Sequence, residues 1–221
     1  MTSIDPDEHE HIPGEAASTY AKIADAYGQQ YYESVAGQVL DHLEDGMRML
    51  DVGTGPGLLP IEIAMRLHGI RIDGFDFTRE LIRYARESAT IQGVSNRVSF
   101  FVADAYRIPV HSGQYAFLIS TGVLHSLDDS VRALTEWYRV LEPGGSAWVF
   151  DPAILDLPET VDIDLTDKER EILATYGVRK DEPTPISRTE AKRLVDASPF
   201  EDAEIGTGPY GDRRLYLTRT G

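Results

Sequence analysis

The chain contains no cysteine among its 221 residues, which excludes disulfide bonds, thiolate metal ligands and cysteine nucleophiles. It also lacks any apolar run that reaches the roughly 18 residues of a membrane-spanning helix. Residues 1–10 are acidic and lack the apolar core of a secretory signal peptide. These absences predict a cytoplasmic protein that does not work in a membrane.

Positive charge is scarce, since 21 lysine and arginine residues face 37 aspartate and glutamate residues, giving a formal net charge of −16. Proteins that bind nucleic acids neutralise phosphates with lysine and arginine, so DNA and RNA are not expected as partners. Anionic membrane surfaces are disfavoured for the same reason. Solubility alone is a sufficient reason for such an acidic surface, so the charge identifies no partner by itself.

A chain of this length suits a single domain, and its 42% hydrophobic and 26% charged residues are ordinary for a globular protein. Residues 1–15 are polar and include Pro6, Pro13 and Gly14, which predicts a flexible N-terminal segment. Residues 16–221 are predicted to form the one domain.

Strand and helix patterns alternate from residue 48 onward. Five short apolar segments are predicted as strands, at 48–52, 71–75, 98–102, 115–120 and 146–150. Helical spacing predicts helices at 56–67, 78–92 and 129–141, the last one ended by Pro143-Gly144-Gly145. This alternation implies an α/β fold whose mostly parallel sheet is covered by helices on both faces. Ligands bind such sheets at the carboxyl ends of the strands.

The two ends of the chain and one internal segment depart from the alternation. Residues 16–43 show helical spacing that Gly28 divides into two helices. Residues 152–185 are acidic and irregular, with a capping-box pattern at 166–169, and a second such pattern at 187–190 opens a helix to about residue 197. Residues 203–207 and 214–218 are predicted as an antiparallel pair of strands at one edge.

The strongest local signal is the turn Leu50-Asp51-Val52-Gly53-Thr54-Gly55-Pro56-Gly57. Glycines lack Cβ, so the backbone can approach a ligand closely, and the start of a helix follows. The dinucleotide pattern G-x-G-x-x-G fails, because Leu58 stands where its last glycine belongs. The carboxylate of Asp51 would repel a pyrophosphate but suits a ligand with an ammonium group. A tight turn without a ligand is the structural alternative.

Two further carboxylates follow the next two strands. Asp76 lies about 20 residues after the glycine turn, where a carboxylate can accept hydrogen bonds from both hydroxyl groups of a ribose. Asp76 could instead be the N-cap of the following helix, although Thr78 is available for that role. Phe77 would then pack on an adenine edge or belong to the core. Asp104 can accept from an adenine amino group while the N–H of Ala105 donates to the ring, unless Asp104 is a solvated loop residue. Three such carboxylates predict a nucleoside site.

With these residues in place, the chain resembles the class I S-adenosylmethionine-dependent methyltransferases, of the small-molecule type related to the ubiquinone-biosynthesis methyltransferases. The resemblance covers roughly residues 20–151. Besides the glycine turn, it rests on Gly74-Phe75-Asp76-Phe77-Thr78, Asp104-Ala105, Ser120-Thr121-Gly122-Val123-Leu124-His125 and Arg139-Val140-Leu141-Glu142-Pro143-Gly144-Gly145.

The resemblance implies a Rossmann-like seven-stranded sheet of order 3-2-1-4-5-7-6 with an N-terminal helical lid, and S-adenosylmethionine as the cofactor. The glycine turn would lie against the methionine moiety, and Ser120 and Thr121 beneath the sulfonium. The implied cofactor residues are Asp51, Gly53, Thr54, Gly55, Gly57, Asp76, Phe77, Asp104, Ala105, Ser120 and Thr121.

Tyr20 and Tyr27 lie seven residues apart, which puts both on one face of the N-terminal helix. In the family that the chain resembles this helix folds over the cofactor, where a tyrosine face can stabilise a sulfonium by roughly 0.5 to 2 kcal/mol. Packing of the helix onto the sheet is the alternative. His125 is the candidate catalytic residue, since it could orient a substrate or accept its proton, but a structural hydrogen bond is an open alternative.

The predicted function is the transfer of a methyl group from S-adenosylmethionine to an N, O, C or S atom of a small-molecule acceptor. The remaining histidines show no ligand spacing, so no metal is predicted. A protein that binds the cofactor without transferring its methyl group is one alternative. A dinucleotide-dependent oxidoreductase is another, opposed by the glycine spacing, and an RNA or protein acceptor is a third.

Overall fold

The computed structural model describes residues 14–151, 165–175, 186–209 and 211–221. Two helices come first, α1 (Gly14–Tyr27) and α2 (Gln29–Leu40). The alternating part then runs through β1 (Arg48–Val52), α3 (Leu58–Arg66), β2 (Arg71–Asp76), α4 (Arg79–Ile91), β3 (Val98–Val102), β4 (Tyr115–Thr121), α5 (Ser130–Val140) and β5 (Leu141–Asp151). The last part comprises α6 (Asp167–Thr175), α7 (Arg188–Ala197), β6 (Asp202–Thr207) and β7 (Arg213–Thr218).

The seven strands form one sheet in the order β3-β2-β1-β4-β5-β7-β6, which confirms the predicted fold. Strands β1 to β5 pair in parallel, whereas β7 is antiparallel to both β5 and β6. The register aligns Val52 with Phe75 on one side and with Ser120 on the other, so the carboxyl ends of β1, β2 and β4 meet at one edge of the sheet.

Helices cover both faces of the sheet because each helix buries one apolar stripe. On one face α2, α3 and α4 pack residues such as Val35, Ile63 and Ala85 against the strands. On the other face α5 and α7 contribute residues such as Trp137 and Leu194. None of the helices in the described ranges is both long and apolar enough to span a bilayer.

The helix boundaries follow the local signals in most places. Gly28 is the N-cap of α2, and the Ser187 side chain accepts a hydrogen bond from the backbone N–H of Glu190 at the start of α7. The other capping box is also present, because the Thr166 N–H donates to Glu169 Oε2 at 2.8 Å while the Glu169 N–H donates to Thr166 Oγ1 at 3.2 Å. The capping box predicted at 166–169 is therefore confirmed, whereas at 187–190 only the Ser187 cap is formed, because the Glu190 carboxylate bonds to Arg193 instead.

One boundary prediction was wrong. The helix before Pro143-Gly144-Gly145 ends at Val140, and β5 starts at Leu141, five residues before its predicted start. The Gly144 N–H donates to the Arg219 carbonyl at 2.8 Å, and the Arg219 N–H donates to the Gly145 carbonyl at 2.9 Å. These two bonds hold the glycine segment against Arg219, with Gly144 in left-handed backbone at a φ of +83°.

The predicted flexible segment at 1–15 lies largely outside the described residues, and Gly14 already belongs to α1. The irregular segment predicted at 152–185 is described only at 165–175, where it forms α6.

Candidate functional site

A cavity of about 410 Å³ opens at the carboxyl ends of β1 to β4. Its wall combines the glycine turn, the ends of β2, β3 and β4, and side chains from α1 and α2 above them. Eight of the predicted site residues lie on this wall: Tyr20, Gly53, Gly55, Asp76, Phe77, Asp104, Ala105 and Thr121. The three strand ends that the sequence singled out therefore converge on one space.

The three glycines of the turn have left-handed backbone, with φ of +69° at Gly53, +54° at Gly55 and +82° at Gly57. A Cβ on Gly55 would point into open space, with Tyr20 Cε1 as its nearest neighbour at 3.7 Å. A Cβ on Gly57 would lie 2.7 Å from Phe100 Cζ, inside the core. Gly55 is thus the glycine that a ligand can approach, whereas Gly57, predicted as a site residue, lets α3 pack against the sheet.

Asp51 lies beneath this turn and is almost fully buried. Thr54 Oγ1 donates to Asp51 Oδ2 at 2.7 Å, but Oδ1 has no hydrogen-bond partner among the described residues. Burial raises the pKa of Asp51 to about 7; the Thr54 hydrogen bond opposes this rise and the charge of Asp76 adds to it. A buried carboxylate oxygen without a donor is costly, and an ammonium group would satisfy it.

Asp76 links the turn to the end of β2. Its Oδ2 accepts from the Gly55 N–H at 2.9 Å and its Oδ1 accepts from the Thr78 N–H at 2.9 Å. Burial raises the pKa of Asp76, while the backbone hydrogen bonds from Thr78 and Gly55 oppose the rise. Each carboxylate oxygen can accept more than one hydrogen bond, so the ribose role predicted for Asp76 fits this geometry. Thr78 is the N-cap of α4, but its side chain makes no capping bond.

The far end of the cavity is formed after β3. Asp104 Oδ1 accepts from the Tyr106 N–H at 2.8 Å, which leaves Asp104 Oδ2 and the neighbouring Ala105 available at the wall. Phe77 lies on the wall as well. Arg132 from α5 stacks over the Tyr106 ring, with 4.9 Å between its Cζ and the ring centroid, and closes this end. Arg132 was not predicted as a site residue, because only the fold brings α5 to this edge.

The roof of the cavity contains Tyr20 and Tyr32. The two side chains are hydrogen-bonded to each other, and burial raises the pKa of both phenols. Tyr27, which was predicted to act with Tyr20, is the last residue of α1, but its side chain is outside the described part of the structure. Tyr32 was missed, although it stands in the same aromatic helical stretch of the sequence.

Asp51 and three other predicted residues, Thr54, Ser120 and His125, are not on this wall. Thr54 supports Asp51 from behind, and the fully buried Ser120 donates from Oγ to the Val52 carbonyl at 3.2 Å, so both stabilise β1. Of the two residues predicted to lie beneath the sulfonium, Thr121 is on the cavity wall and Ser120 is not. His125 lies in a short 3₁₀ helix (Leu124–Ser126) after β4 and contacts Asp151, which the sequence analysis did not select.

No group of three or more histidine, aspartate and glutamate side chains that could hold a metal ion occurs in the described ranges. The prediction of a metal-free site stays a prediction.

The fold is Rossmann-like, and carboxylates follow the ends of three neighbouring strands, as the prediction of a nucleoside site requires. Residues 49–145 match the family described as "Methyltransferase domain". Over 118 residues the chain is 35% identical to a ubiquinone/menaquinone biosynthesis C-methyltransferase of Geobacter sp., covering 52% of this chain and 50% of that protein. A demethylmenaquinone methyltransferase of Thermus thermophilus is 34% identical over 104 residues, covering 47% and 46% of the two chains.

Solved structures show the same fold. A candidate S-adenosylmethionine-dependent methyltransferase of Methanococcus maripaludis superimposes with a TM-score of 0.74 at 18% identity, covering 100% of this chain and 97% of the other. A phosphoethanolamine N-methyltransferase of Haemonchus contortus in complex with S-adenosyl-L-methionine gives 0.71 at 13% identity, covering 99% of this chain and 61% of the other.

The family match over residues 49–145, the curated relatives and the solved structures all support the resemblance to the class I S-adenosylmethionine-dependent methyltransferases that the motifs predicted. The predicted cofactor is the one by which this family is defined. The chain spans about half the length of the curated relatives it matches. The residues present fit that cofactor, because Asp51 offers an unpartnered oxygen and Gly55 leaves room for close approach.

Proposed function

We propose that this protein binds S-adenosylmethionine in the cavity at the strand ends and transfers its methyl group to an N, O, C or S atom of a small molecule. The observation that carries the proposal is Asp51 Oδ1, buried beneath the glycine turn without a donor among the described residues. An amino-acid ammonium group supplies that donor, and a pyrophosphate does not.

The carboxylates at the next two strand ends, Asp76 and Asp104, lie where the rest of the ligand would bind. Asp76, held by the N–H groups of Gly55 and Thr78, faces the cavity one strand away from Asp51, as a ribose diol requires. Asp104 and the backbone of Ala105 follow one strand further, where an adenine would lie. The order ammonium, ribose, base matches the order β1, β2, β3 in the sheet.

The bound cofactor supplies an electrophilic methyl group on a positively charged sulfur. The chain supplies alignment, which can be worth roughly 7 to 11 kcal/mol in such reactions. Asp51 holds the ammonium group of the methionine part and Asp76 holds the ribose. Thr121 lies on the wall at the end of β4, and the half-buried Tyr20 and the buried Tyr32 exclude water from above.

A small metabolite is proposed as the acceptor, since the relatives' names share that class and a net charge of −16 opposes RNA. The absence of cysteine is compatible with a cytoplasmic protein, and we propose that residues 16–221 act as a single domain. A dinucleotide-dependent oxidoreductase is not favoured, because Leu58 occupies the position of its last glycine.

The test is thermal unfolding with S-adenosylhomocysteine, S-adenosylmethionine, adenosine, NAD and NADP. A ligand at about 100 times its Kd adds roughly 2.7 kcal/mol to the free energy of unfolding, which is a Tm shift of several degrees for a domain of this size. We expect shifts with the first two ligands, a smaller one with adenosine and none with NAD or NADP. Stabilisation by NAD without stabilisation by S-adenosylhomocysteine would overturn the proposal, and binding without turnover on any acceptor would favour a non-catalytic protein.

A further inference from the structure

His125 and Asp151 form a hydrogen-bonded pair at the β4–β5 side of the cavity. His125 Nδ1 lies 2.9 Å from Asp151 Oδ1, and the His125 backbone N–H donates to Asp151 Oδ2 at 3.0 Å. Asp151 is the last residue of β5, and its side chain is only 1% exposed. One buried carboxylate therefore fixes both the backbone and the ring of His125.

This contact sets where the imidazole carries its proton. An ionised carboxylate only accepts hydrogen bonds, so Nδ1 must be the protonated nitrogen of the neutral ring. Nε2 is then left with a lone pair. No residue in the described ranges hydrogen-bonds to Nε2, and the His125 side chain is 24% exposed.

The position of the pair favours a role in the reaction. Thr121, Val123 and Ser126, on either side of His125 in the chain, lie on the cavity wall, so His125 is next to the cavity although it is not itself on the wall. Asp151 ends β5 beside the end of β4, since Thr121 pairs with Phe150 in the register of the two strands. A purely structural clamp would need only the two donors that face Asp151, and an asparagine at position 125 could supply both.

We propose that Asp151 is a positioning residue that holds His125 with Nε2 unprotonated, and that Nε2 accepts the proton of an acceptor whose nucleophilic atom carries one. The inference rests on the proposed methyl transfer. The acceptor's lone pair forms the bond to the methyl carbon, the electrons of the broken carbon–sulfur bond stay on sulfur, and the acceptor's proton moves to Nε2 and then to solvent.

The pair therefore selects a class of acceptor. Primary and secondary amines, hydroxyl groups and acidic C–H groups all lose a proton on methylation. Thioethers and tertiary amines lose none, so a base at this position contributes nothing to their methylation.

The first test measures the tautomer directly and needs no acceptor. Two-bond ¹H–¹⁵N spectra of the protein bound to S-adenosylhomocysteine, at mildly alkaline pH, should show His125 with Nδ1 protonated and Nε2 bare. In Asp151→Asn the ring should become a mixture of tautomers, while S-adenosylhomocysteine still binds. A protonated Nε2 in the neutral ring of the unaltered protein would refute the inference.

The second test uses turnover to S-adenosylhomocysteine on a panel of primary amines, secondary amines and phenols, with tertiary amines and thioethers beside them. His125→Asn keeps a donor toward Asp151 but has no basic nitrogen, and we expect its kcat to fall roughly 100-fold or more with the acceptor KM unchanged. His68→Asn, at an exposed histidine between α3 and β2, is the matched control and should change neither.

Equal kcat for His125→Asn and the unaltered protein, or preferred turnover of thioethers and tertiary amines, would overturn the inference while leaving methyl transfer intact. Absence of turnover with every acceptor would count against the proposed function instead, and the tautomer measurement would then decide the inference by itself.

Discussion

Replacing Asp51 with asparagine should stabilise the ligand-free protein at alkaline pH and weaken its binding of the cofactor. The carboxyl group is 2% exposed, and burial raises its pKa from 3.8 to about 7. Because the pKa is higher in the folded protein than in the unfolded chain, the folded state binds this proton more tightly. The stabilising contribution is fully present below the unfolded pKa of 3.8 and is lost as pH rises to about 7.

The size of this effect follows from the shift. About three pKa units at about 1.4 kcal/mol each make the ionised carboxylate cost about 4 kcal/mol above neutral pH. Asparagine stays neutral, but its amide N–H groups replace an oxygen that has no partner among the described residues, which costs about 1 to 3 kcal/mol. The Asp51→Asn variant should therefore gain about 1 to 3 kcal/mol at alkaline pH, where the charge penalty is removed, and lose about 1 to 3 kcal/mol in acid, where only the amide cost remains.

Urea unfolding of both ligand-free proteins across a pH series measures this difference. Asp76 is present in both proteins, so the comparison largely cancels its own titration. In parallel, calorimetry should show the Kd for S-adenosylhomocysteine rising roughly 10-fold or more, because a charge-assisted hydrogen bond of about 1.5 to 3 kcal/mol is lost. Parallel stability curves for the two proteins would refute the assignment of a buried, proton-binding Asp51.

The sequence predicted the features that depend on short stretches of chain. Strand periods, the glycine turn and the capping boxes are local, and a parallel sheet then forces successive strand ends to one edge. That is why Asp76 and Asp104, 28 positions apart by their numbers, could be assigned to one site. The start of β5 was missed because Gly144 and Gly145 are held by Arg219, more than 70 positions away.

The direction of a side chain is a tertiary property, and here sequence reasoning failed. Gly57 and Ser120 stand at positions that fit the site, yet one faces Phe100 in the core and the other bonds to the Val52 carbonyl. Asp151 shows the opposite error. It follows a strand as Asp76 does, but its importance depends on His125, 26 residues earlier, packing against it.

Three further substitutions separate residues that support the site from residues that contact the ligand. Asp76→Asn should raise the Kd for S-adenosylhomocysteine roughly 10-fold or more in calorimetry. Both Asp76 oxygens now accept hydrogen bonds, from the Gly55 and Thr78 N–H groups, whereas an asparagine amide has only one accepting oxygen. An unchanged Kd would remove Asp76 from the site. Gly55→Val should abolish binding while Gly57→Val should chiefly lower the Tm, as measured by calorimetry and thermal unfolding of both variants. Both glycines have positive φ, so valine strains the backbone at each, but only the Gly55 side chain would enter the cavity, whereas the one at Gly57 would collide with the core 2.7 Å from Phe100. Normal binding by Gly55→Val would mean that the glycine turn serves the fold alone, and the cofactor would then have to approach the sheet edge elsewhere.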